Sequence, residues 1–588
     1  MAPPYRSVGD SVARYLLYTT VGVVTLAVFV DVESTVPIGW LTLVTAGALA
    51  IAAVGRVVTG RNDGSSDTLE RVQPPSPRVI LAVLVALIIA GSLLRAYALG
   101  AQSLWFDEAI STNAAIAVLE NGRPTFPSGQ EYWRAFPHTL AMVASMALFG
   151  TGEAAARAPS VLFGVATIGV TYWLGREVGG PRVGLLAAAL VTFASWEIAW
   201  SRQARMYQLL QLLYVLALVL LLRIDRSVLQ DGRTRLEDTG TALALGVVVT
   251  LAALTHQIGY VLVPVAVAYL GLASAYEGRL SVRAAAGFLA GSAALVAVFE
   301  ALGLEFTGAV ETVATTDVSY WDVYVEWLLA EFHAFVFLGV VGAALTFYRG
   351  WYREGSLLVL AVAAPAWVLS FHTELFATRY LYFGLPVLFV WAGVTIEYVA
   401  IVGVGWFRTV RNRVEMRGQS VSRADGGTTA TWAVPLVAFA FAVLLALGGG
   451  FTVVPQAEYE LGVNAPQPEF EGAYEYVNEH REDGDVIVAG WTAPGVYYAG
   501  GVDYWLVHDL SGVEGNWTVD GEERFSGAEP IGSAAQLEAV INKHERGWIV
   551  VDEIALARQD GETAAALQEA DLAWENGQIY VFWWDHSV

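Results

Sequence analysis

Long apolar runs separated by short polar connections occupy most of the chain. A helix of about 20 apolar residues can cross the hydrocarbon core of a bilayer, and thirteen segments approach that length. They lie near residues 12–30, 37–58, 79–99, 157–176, 183–200, 206–223, 240–256, 259–276, 284–303, 333–348, 356–372, 380–402 and 432–453. The pattern predicts a polytopic α-helical membrane protein with about thirteen spans.

Three of the connections are long. The loop at 100–156 contains an apolar run at 137–150 that is too short to span a bilayer, so we expect a helix lying along the membrane surface. The loop at 304–332 has acidic but no basic residues, which fits either a mobile flap or a solvated loop. Residues 403–431 are rich in arginine, glycine and serine and predict a flexible linker.

The pattern changes near residue 454. Short apolar runs at Asp485–Ala489, Trp548–Val551 and Ile579–Trp583 predict buried strands, and amphipathic patterns at 468–481 and 533–545 predict helices. We therefore expect a small α/β domain after the spans. The predicted division is two extra N-terminal spans with a cytoplasmic linker (1–78), a transmembrane domain with outer loop 100–156 (79–453) and a soluble extracytoplasmic domain (454–588).

Arginines fall unevenly between alternate connections. Most lie in one set, and the other set holds only Arg123, Arg134, Arg157, Arg202, Arg205 and Arg379. Because cytoplasmic loops carry the excess of basic residues, we expect a multi-pass protein of the cell membrane with its N-terminus inside and its C-terminal domain outside. The sequon Asn516-Trp517-Thr518 would lie on the outer side, where glycosylation occurs.

Composition narrows the class further. With 55% hydrophobic and 15% charged residues, the chain is too apolar for an ordinary soluble enzyme. It has no cysteine, which excludes disulfides and thiolate metal sites. The net charge is −23 and Lys543 is the single lysine, so the surface suits high salt and predicts a halophilic archaeon. No basic stripe is present to bind nucleic acid.

Several charged and aromatic side chains converge on the predicted outer face. Asp107 and Glu108 follow the span at 79–99, and the turn at 201–207, His256 and the loop at 372–380 emerge on the same side. Adjacent carboxylates at the end of a span can simply mark where it meets water, or they can act chemically. The gathering of these segments favours a site.

These residues resemble the GT-C glycosyltransferases, in the branch of the dolichyl-phosphate-mannose protein mannosyltransferases and the aminoarabinose transferases. The resemblance rests on the ordered segments Leu104–Ala109, Arg157–Gly164, Trp200–Tyr207 and Arg379-Tyr380. Two positions depart from the family pattern. Gln203 stands where relatives commonly have an acidic residue, and a His-Pro-Pro pattern is reduced to Phe136-Pro137-His138.

The resemblance implies transfer of a hexose or pentose from a polyprenyl (dolichyl) phosphate, with inversion at the anomeric carbon. Asp107 would be the general base and Glu108 would position it or the acceptor. Arg205 and Arg379, then Arg202 and Arg95, would stabilise the departing phosphate. Further substrate contacts would come from His138, Tyr207, His256, His372 and Tyr380. Arg95 can instead snorkel to the headgroups, and the tyrosines and histidines can instead be interfacial residues.

The expected partners are the bilayer, the lipid-linked sugar and an acceptor that is either a protein or a lipid-linked glycan. Paired carboxylates near histidine can bind a divalent ion, but the arginines make a metal unnecessary, so no cofactor is predicted. A secondary transporter is the main alternative, since it also has many spans and intramembrane charges. A receptor or scaffold is a third class, in which the acidic first loop would have no purpose.

Overall fold

The computed structural model describes residues 75–230, 236–276, 317–373, 376–417 and 468–586, apart from 511, 514, 516, 568 and 569 within the last segment. The predicted spans at 12–30, 37–58, 284–303 and 432–453 lie outside the described residues, as does Asn516 of the sequon.

The described part of the chain before residue 418 is almost entirely helical. Its α-helices are α1 Pro77–Ala96, α2 Phe106–Asn121, α3 Phe136–Phe149, α4 Glu153–Gly179, α5 Pro181–Phe193, α6 Ser195–Ser201, α7 Tyr207–Ile224, α8 Leu236–Thr255, α9 Leu262–Tyr276, α10 Trp321–Tyr348, α11 Tyr352–Phe371 and α12 Leu385–Arg417. Short 3₁₀ turns at Gln257–Val261 and Thr378–Gly384 precede α9 and α12, and a π turn at Asp225–Gln230 follows α7.

Six of these helices are long and apolar enough to cross a membrane, and the number rises to eight if each of two bent pairs is one span. The six are α1, α4, α7, α9, α11 and α12, and each coincides with a predicted span. The bent pairs are α5 with α6, which meet at 62°, and the two halves of α10, which meet at 102° near Phe332. The predicted span at 240–256 is a shorter apolar helix within α8. The prediction of a multi-pass helical membrane protein is confirmed.

Two predicted connections are helical over part of their length. The loop predicted at 304–332 is wrong from Trp321 onward, where α10 begins. Asp322 lies in the first turn of α10, and a carboxylate is favourable there because it faces the positive end of the helix dipole. The linker predicted at 403–431 is wrong up to Arg417, where α12 ends.

Helix α7 is the best enclosed of the described spans, and α1 is the least. Leu210, Tyr214 and Leu218 of α7 are buried, and the Tyr214 hydroxyl donates to the Ala361 carbonyl of α11 at 2.6 Å. The α1 side chains Leu81 and Leu93, in contrast, are exposed, as expected for lipid-facing residues. The spans therefore surround α7, with α1 at the periphery.

The helix ends define two ends of this bundle. One end, called the site end, carries the start of α2, the α6–α7 turn and the two 3₁₀ turns. The opposite end is closed by ion pairs. Arg226 pairs with Glu177 and Glu354, and Arg349 lies 3.2 Å from Glu397. The first group joins the end of α7 to α4 and α11, and the second joins the end of α10 to α12, both away from the site end.

Residues 468–586, called the C-terminal segment, form a mixed sheet with helices. The helices are α13 Phe470–His480, α14 Thr492–Ala499, α15 Ala534–Lys543, α16 Glu553–Arg558 and α17 Gly561–Leu567. The strands are β1 Val486–Ala489, β2 Tyr504–Leu506, β3 Thr518–Val519, β4 Glu522–Glu523, β5 Glu529–Ile531, β6 Arg546–Asp552, β7 Asp571–Glu575 and β8 Ile579–Asp585. All three predicted strands and both predicted helices are present.

The main sheet has the strand order β5-β2-β1-β6-β8-β7. Its first four strands are parallel, whereas β8 pairs antiparallel with both β6 and β7. The central strand β1 is buried throughout, which explains why it reads as a continuous apolar run. The small β3–β4 hairpin lies beside this sheet.

Candidate active site

The first turn of α2 places two adjacent carboxylates at the site end. Trp105 has an extended conformation and caps the helix, so Asp107 and Glu108 lie in its first turn. Negative side chains are favourable there because of the helix dipole. Consecutive residues on a helix point about 100° apart, and the two carboxylates consequently meet different surroundings.

Asp107 faces two arginines from distant parts of the chain. Its Oδ2 atom lies 3.3 Å from Arg205 Nη2 and 3.6 Å from Arg379 Nη2. Arg205 is tied to α2 more closely, since its Nη1 atom donates to the Asp107 carbonyl and to Ser111 Oγ, each at 2.8 Å. The Asp107 side chain remains 19% exposed. The carboxylate is thus held by long contacts and is open to a ligand.

Aromatic rings surround the second arginine. Arg379 Nε donates to the Tyr207 hydroxyl at 3.1 Å, and its guanidinium lies 5.7 Å from the Trp105 ring centroid and 5.8 Å from that of Tyr380. The His256 ring completes this wall, with centroid distances of 5.7 Å to Tyr207 and 5.5 Å to Tyr380. Cation–π contacts of this kind hold a guanidinium without neutralising it.

Charge and burial set the protonation of the surrounding groups. Burial is the largest single influence on the pKa of Arg205 and lowers it, but Asp107 together with Tyr132 and Tyr207 raises the pKa above its usual value, so Arg205 stays cationic. Burial lowers the pKa of His256 well below its usual value, and Arg134, Arg205 and Arg379 lower it further. His256 is therefore neutral. The exposed Arg134 belongs to the same positive region.

Glu108 has a different environment. It is fully buried and accepts two hydrogen bonds from Arg157, from Nε at 2.9 Å and from Nη2 at 2.7 Å. The Ala204 backbone N–H donates to the same carboxylate at 2.6 Å. Arg157 also donates to the Leu99 and Ser103 carbonyls. The structure therefore ties Glu108 to α4 and to the α6–α7 turn, not to the open side of Asp107.

Arg95 and Arg202 bind helix ends. Arg95 is fully buried and donates to the carbonyls of Val191 at 2.9 Å and Thr192 at 3.1 Å, in the last turn of α5. Arg202 donates to the Arg95 carbonyl at 3.0 Å and to the Tyr97 carbonyl, at the end of α1. Their placement does not support the prediction that they bind phosphate, because unpaired carbonyls and the helix dipole at these ends attract the arginines instead. Arg95 does not snorkel either.

The remaining predicted residues fall in two places. His138 is buried, and its Nε2 atom lies 3.1 Å from Ser160 Oγ, which donates to the Arg205 carbonyl at 3.3 Å. Burial and the Arg205 charge lower the pKa of His138 to about 3, so it is a neutral support behind Arg205. The His372 ring lies at the end of α11, 4.1 Å from the Trp367 ring centroid.

A buried polar network not singled out from the sequence lies beneath the site. The Tyr382 hydroxyl donates to Glu197 Oε2 at 3.0 Å and also bonds Gln208 Oε1. Gln211 Nε2 donates to Glu197 Oε1 at 2.9 Å and to the Tyr382 carbonyl at 3.1 Å. This network joins α6, α7 and the turn that carries Arg379. Polar residues inside apolar spans are a signal that could have indicated it.

The C-terminal segment packs directly against α2. The Phe106 ring centroid lies 4.8 Å from that of Trp491, the Leu104 N–H donates to the Tyr498 hydroxyl at 2.7 Å, and Asn113 Nδ2 donates to the Ala493 carbonyl at 3.0 Å. No sequence signal indicated these contacts, because residues nearly 400 positions apart meet only through the tertiary fold. The C-terminal segment therefore borders the Asp107 site.

In the ranges that the structure describes, no three His, Asp or Glu side chains are grouped closely enough to hold a metal ion. Asp107 and Glu108 each face arginine.

Solved structures with the same fold are membrane glycosyltransferases. ArnT from Cupriavidus metallidurans in the apo state superposes with a TM-score of 0.55 at 15% identity, covering 87% of this chain and 99% of that one. Its complex with undecaprenyl phosphate gives 0.53 at 13%, covering 87% and 98%. The apo oligosaccharyltransferase of Archaeoglobus fulgidus gives 0.53 at 14%, covering 84% and 73%. The chain has the GT-C fold, as the sequence motifs predicted.

The sequence adds an independent match to one family. Residues 136–302 match the model of the dolichyl-phosphate-mannose-protein mannosyltransferases. The matched region starts at α3 and includes Arg157, Arg205, Tyr207 and His256. No curated protein sequence matches the chain significantly. Family model and fold agree with the resemblance to glycosyltransferases that use polyprenyl phosphate donors.

Proposed function

We propose that the chain is a membrane glycosyltransferase that moves a sugar from a polyprenyl phosphate to a hydroxyl acceptor on the outer face of the membrane, with inversion at the anomeric carbon. The observation that carries the proposal is the open Asp107 carboxylate facing Arg205 and Arg379. A base and two phosphate-binding cations are then within a few ångströms of each other. The complex of the similar ArnT with undecaprenyl phosphate supports the class of donor.

Asp107 is the proposed general base. The acceptor oxygen attacks the anomeric carbon from the face opposite the phosphate, so the new C–O bond forms as the bond to the phosphate oxygen breaks. The acceptor proton passes to an Asp107 carboxylate oxygen, and the electron pair of the broken bond leaves with the phosphate. A single displacement of this kind inverts the configuration.

Arg205 and Arg379 are the proposed phosphate ligands. Their contacts to Asp107, at 3.3 and 3.6 Å, are longer than a close charge-assisted hydrogen bond. A phosphate can therefore compete for both guanidinium groups, which frees the Asp107 carboxylate for the acceptor proton. The leaving phosphate gains negative charge during the reaction, and fixed cations stabilise that charge in the transition state.

Glu108 is a positioning residue in this proposal. Its pair with Arg157 fixes the first turn of α2 against α4, and its bond from the Ala204 N–H fixes the residue before Arg205. The proposed base, Asp107, and the proposed phosphate ligand, Arg205, are consequently held at a fixed position relative to each other. His138 supports Arg205 in the same way through Ser160.

The C-terminal segment is proposed to be an extracytoplasmic domain that borders the acceptor side. Its contacts to Phe106 and Leu104 place it next to the base rather than at the ion-paired opposite end. The chain would then span the cell membrane with its N-terminus inside. The acceptor, a protein hydroxyl or a lipid-linked glycan, would be presented between this domain and α2.

The test is transfer of radiolabelled sugar from a panel of polyprenyl-phosphate sugars to endogenous acceptors in membranes that contain the full chain. Wild type should consume at least one donor and Asp107→Asn none, while Glu131→Gln, in the same loop, should behave as wild type. Glu131 is a matched control because it pairs with Arg123 instead. If wild type consumes no donor, the proposed function is wrong and the transporter alternative takes its place. If wild type consumes a donor and Asp107→Asn is equally active, the assignment of Asp107 as the base is wrong.

A further inference from the structure

Two buried donors at the Asp107 site have no hydrogen-bond partner within the described residues. They are Arg205 Nε and His256 Nε2. Buried polar groups in folded proteins are nearly always paired, so an unpaired buried donor calls for a partner. Arg205 already belongs to the proposed phosphate site. The proposed function gives no partner to His256 Nε2.

The proton on the His256 ring can be located from its other nitrogen. His256 caps the 3₁₀ turn that follows it, and its Nδ1 atom accepts a hydrogen bond from the Ile258 N–H at 3.1 Å. A neutral imidazole carries one proton, on the nitrogen that is not the acceptor. Nε2 is therefore the donor, and the backbone fixes this tautomer.

The surroundings keep the ring neutral and hold it beside the site. It is buried against Tyr207 and Tyr380, and both tyrosines contact Arg379. The positive charges of Arg134, Arg205 and Arg379 oppose protonation. His256 thus offers one fixed N–H donor within a cluster of cations, where an oxygen-rich anion would be the natural acceptor.

We propose that His256 Nε2–H donates a hydrogen bond to an unesterified oxygen of the lipid phosphate. The inference rests on the proposed function and deepens it, because it assigns a neutral third ligand to the phosphate beside Arg205 and Arg379. The three ligands have different roles. The arginines supply positive charge, and His256 supplies one hydrogen-bond donor. The hydrogen bond from the Ile258 N–H to Nδ1 fixes the orientation of that donor.

Two substitutions of His256 distinguish the Nε2–H donor from the Nδ1 atom that caps the 3₁₀ turn. Asparagine reaches the position of Nδ1 and can accept from the Ile258 N–H, but it has no group at the position of Nε2. Glutamine reaches the position of Nε2 with an amide N–H but loses the cap. His256→Asn should therefore fold normally without the phosphate contact, and His256→Gln should keep the contact at some cost in stability.

The experiment measures binding of a labelled polyprenyl phosphate, with the matching polyprenol as the neutral probe, to the full chain in detergent. We expect His256→Asn to weaken phosphate binding about tenfold or more, the usual loss for a hydrogen bond to a charged group. His256→Gln should stay closer to wild type, and polyprenol binding should change in neither variant.

Each other outcome is decisive. If His256→Asn binds the lipid phosphate as wild type does, the inference fails while the proposed function stands. The inference also fails if His256→Asn lowers sugar transfer but not phosphate binding, since the donor would then contact the sugar. If wild type does not bind the lipid phosphate in preference to polyprenol, the proposed function fails as well.

Discussion

Asp107 and Glu108 are neighbours in the sequence, yet they have opposite surroundings. Glu108 is sealed from solvent and holds Arg157 with bonds of 2.7 and 2.9 Å. Asp107 stays partly exposed and meets Arg205 and Arg379 at 3.3 and 3.6 Å. Two adjacent acidic residues therefore need not form one functional unit. Helix geometry places Glu108 in a buried structural ion pair and leaves the Asp107 carboxylate free to react.

The largest expected effect comes from breaking the sealed pair. Glu108→Gln leaves the Arg157 charge buried without its partner, and losing one member of a buried pair typically costs about 3–5 kcal/mol of folding stability. Thermal unfolding of the purified chain measures this loss. The double variant Glu108→Leu with Arg157→Met should recover part of it, because the stranded charge is gone but the Ala204 N–H and the Leu99 and Ser103 carbonyls lose their partners. An unchanged melting temperature in Glu108→Gln would show that the pair is not a fastening.

The next effect concerns the open carboxylate's arginine partners. Arg379→Gln removes a cation from the leaving phosphate and should lower the rate of sugar transfer by about 10²–10³-fold, as loss of a transition-state ligand does. The melting temperature should change little, since Arg379 is only partly buried. The control is Arg123→Gln, an exposed arginine in the loop at 100–156 that pairs with Glu131 instead of Asp107. Equal activity in both variants would remove Arg379 from the site.

A smaller effect is expected in the polar network beneath the site. Tyr382→Phe removes the hydroxyl that bonds Glu197 Oε2 and Gln208 Oε1, and a buried polar atom left without its partner costs about 1–3 kcal/mol. Because Tyr382 lies in the same turn as Arg379, the maximal rate should fall too, with little change in KM for a donor that still binds. Tyr348→Phe, at an exposed tyrosine, is the control. A stability change without any kinetic change would limit the network to a structural role.

The smallest effect is on pH dependence. Burial and Arg205 lower the pKa of His138 to about 3 in the folded protein, whereas an unfolded histidine has a pKa near 6.5. The unfolded state therefore binds a proton first, and stability contributed by neutral His138 falls as pH drops below about 6.5, by up to about 1.4 kcal/mol per pH unit. Melting temperatures between pH 7 and 5 should decline less steeply for His138→Asn than for wild type. Parallel declines would contradict this.

Much of the membrane fold follows from the sequence because apolar length and arginine placement are strong physical constraints. The convergence of Asp107, Arg205 and Arg379 at one end could be predicted for the same reason, since each follows or precedes a span on the same side. Strands β1, β6 and β8 could also be predicted from the sequence, because a buried strand appears there as a continuous apolar run.

Other features depend on tertiary packing that a single sequence does not encode locally. An arginine near the end of a span looks the same whether it binds phosphate or, like Arg95 and Arg202, the carbonyls of a neighbouring helix. The bend between α5 and α6 and the contact of Phe106 with Trp491 have no periodic signal either. The different surroundings of the Asp107 and Glu108 carboxylates arise only when α4 and the α6–α7 turn pack against α2.

The most direct test of the central claim compares Asp107→Asn and Glu108→Gln in one preparation, with melting temperature and sugar-transfer rate measured on both. We expect the two variants to differ in opposite ways. Asp107→Asn should melt like wild type and lose transfer by at least about 10²-fold, as expected for removal of a general base. Glu108→Gln should melt much lower, and whatever fraction remains folded should retain measurable transfer. The reverse pattern, with Asp107→Asn active or Glu108→Gln stable and inactive, would contradict the assignment of base and fastening.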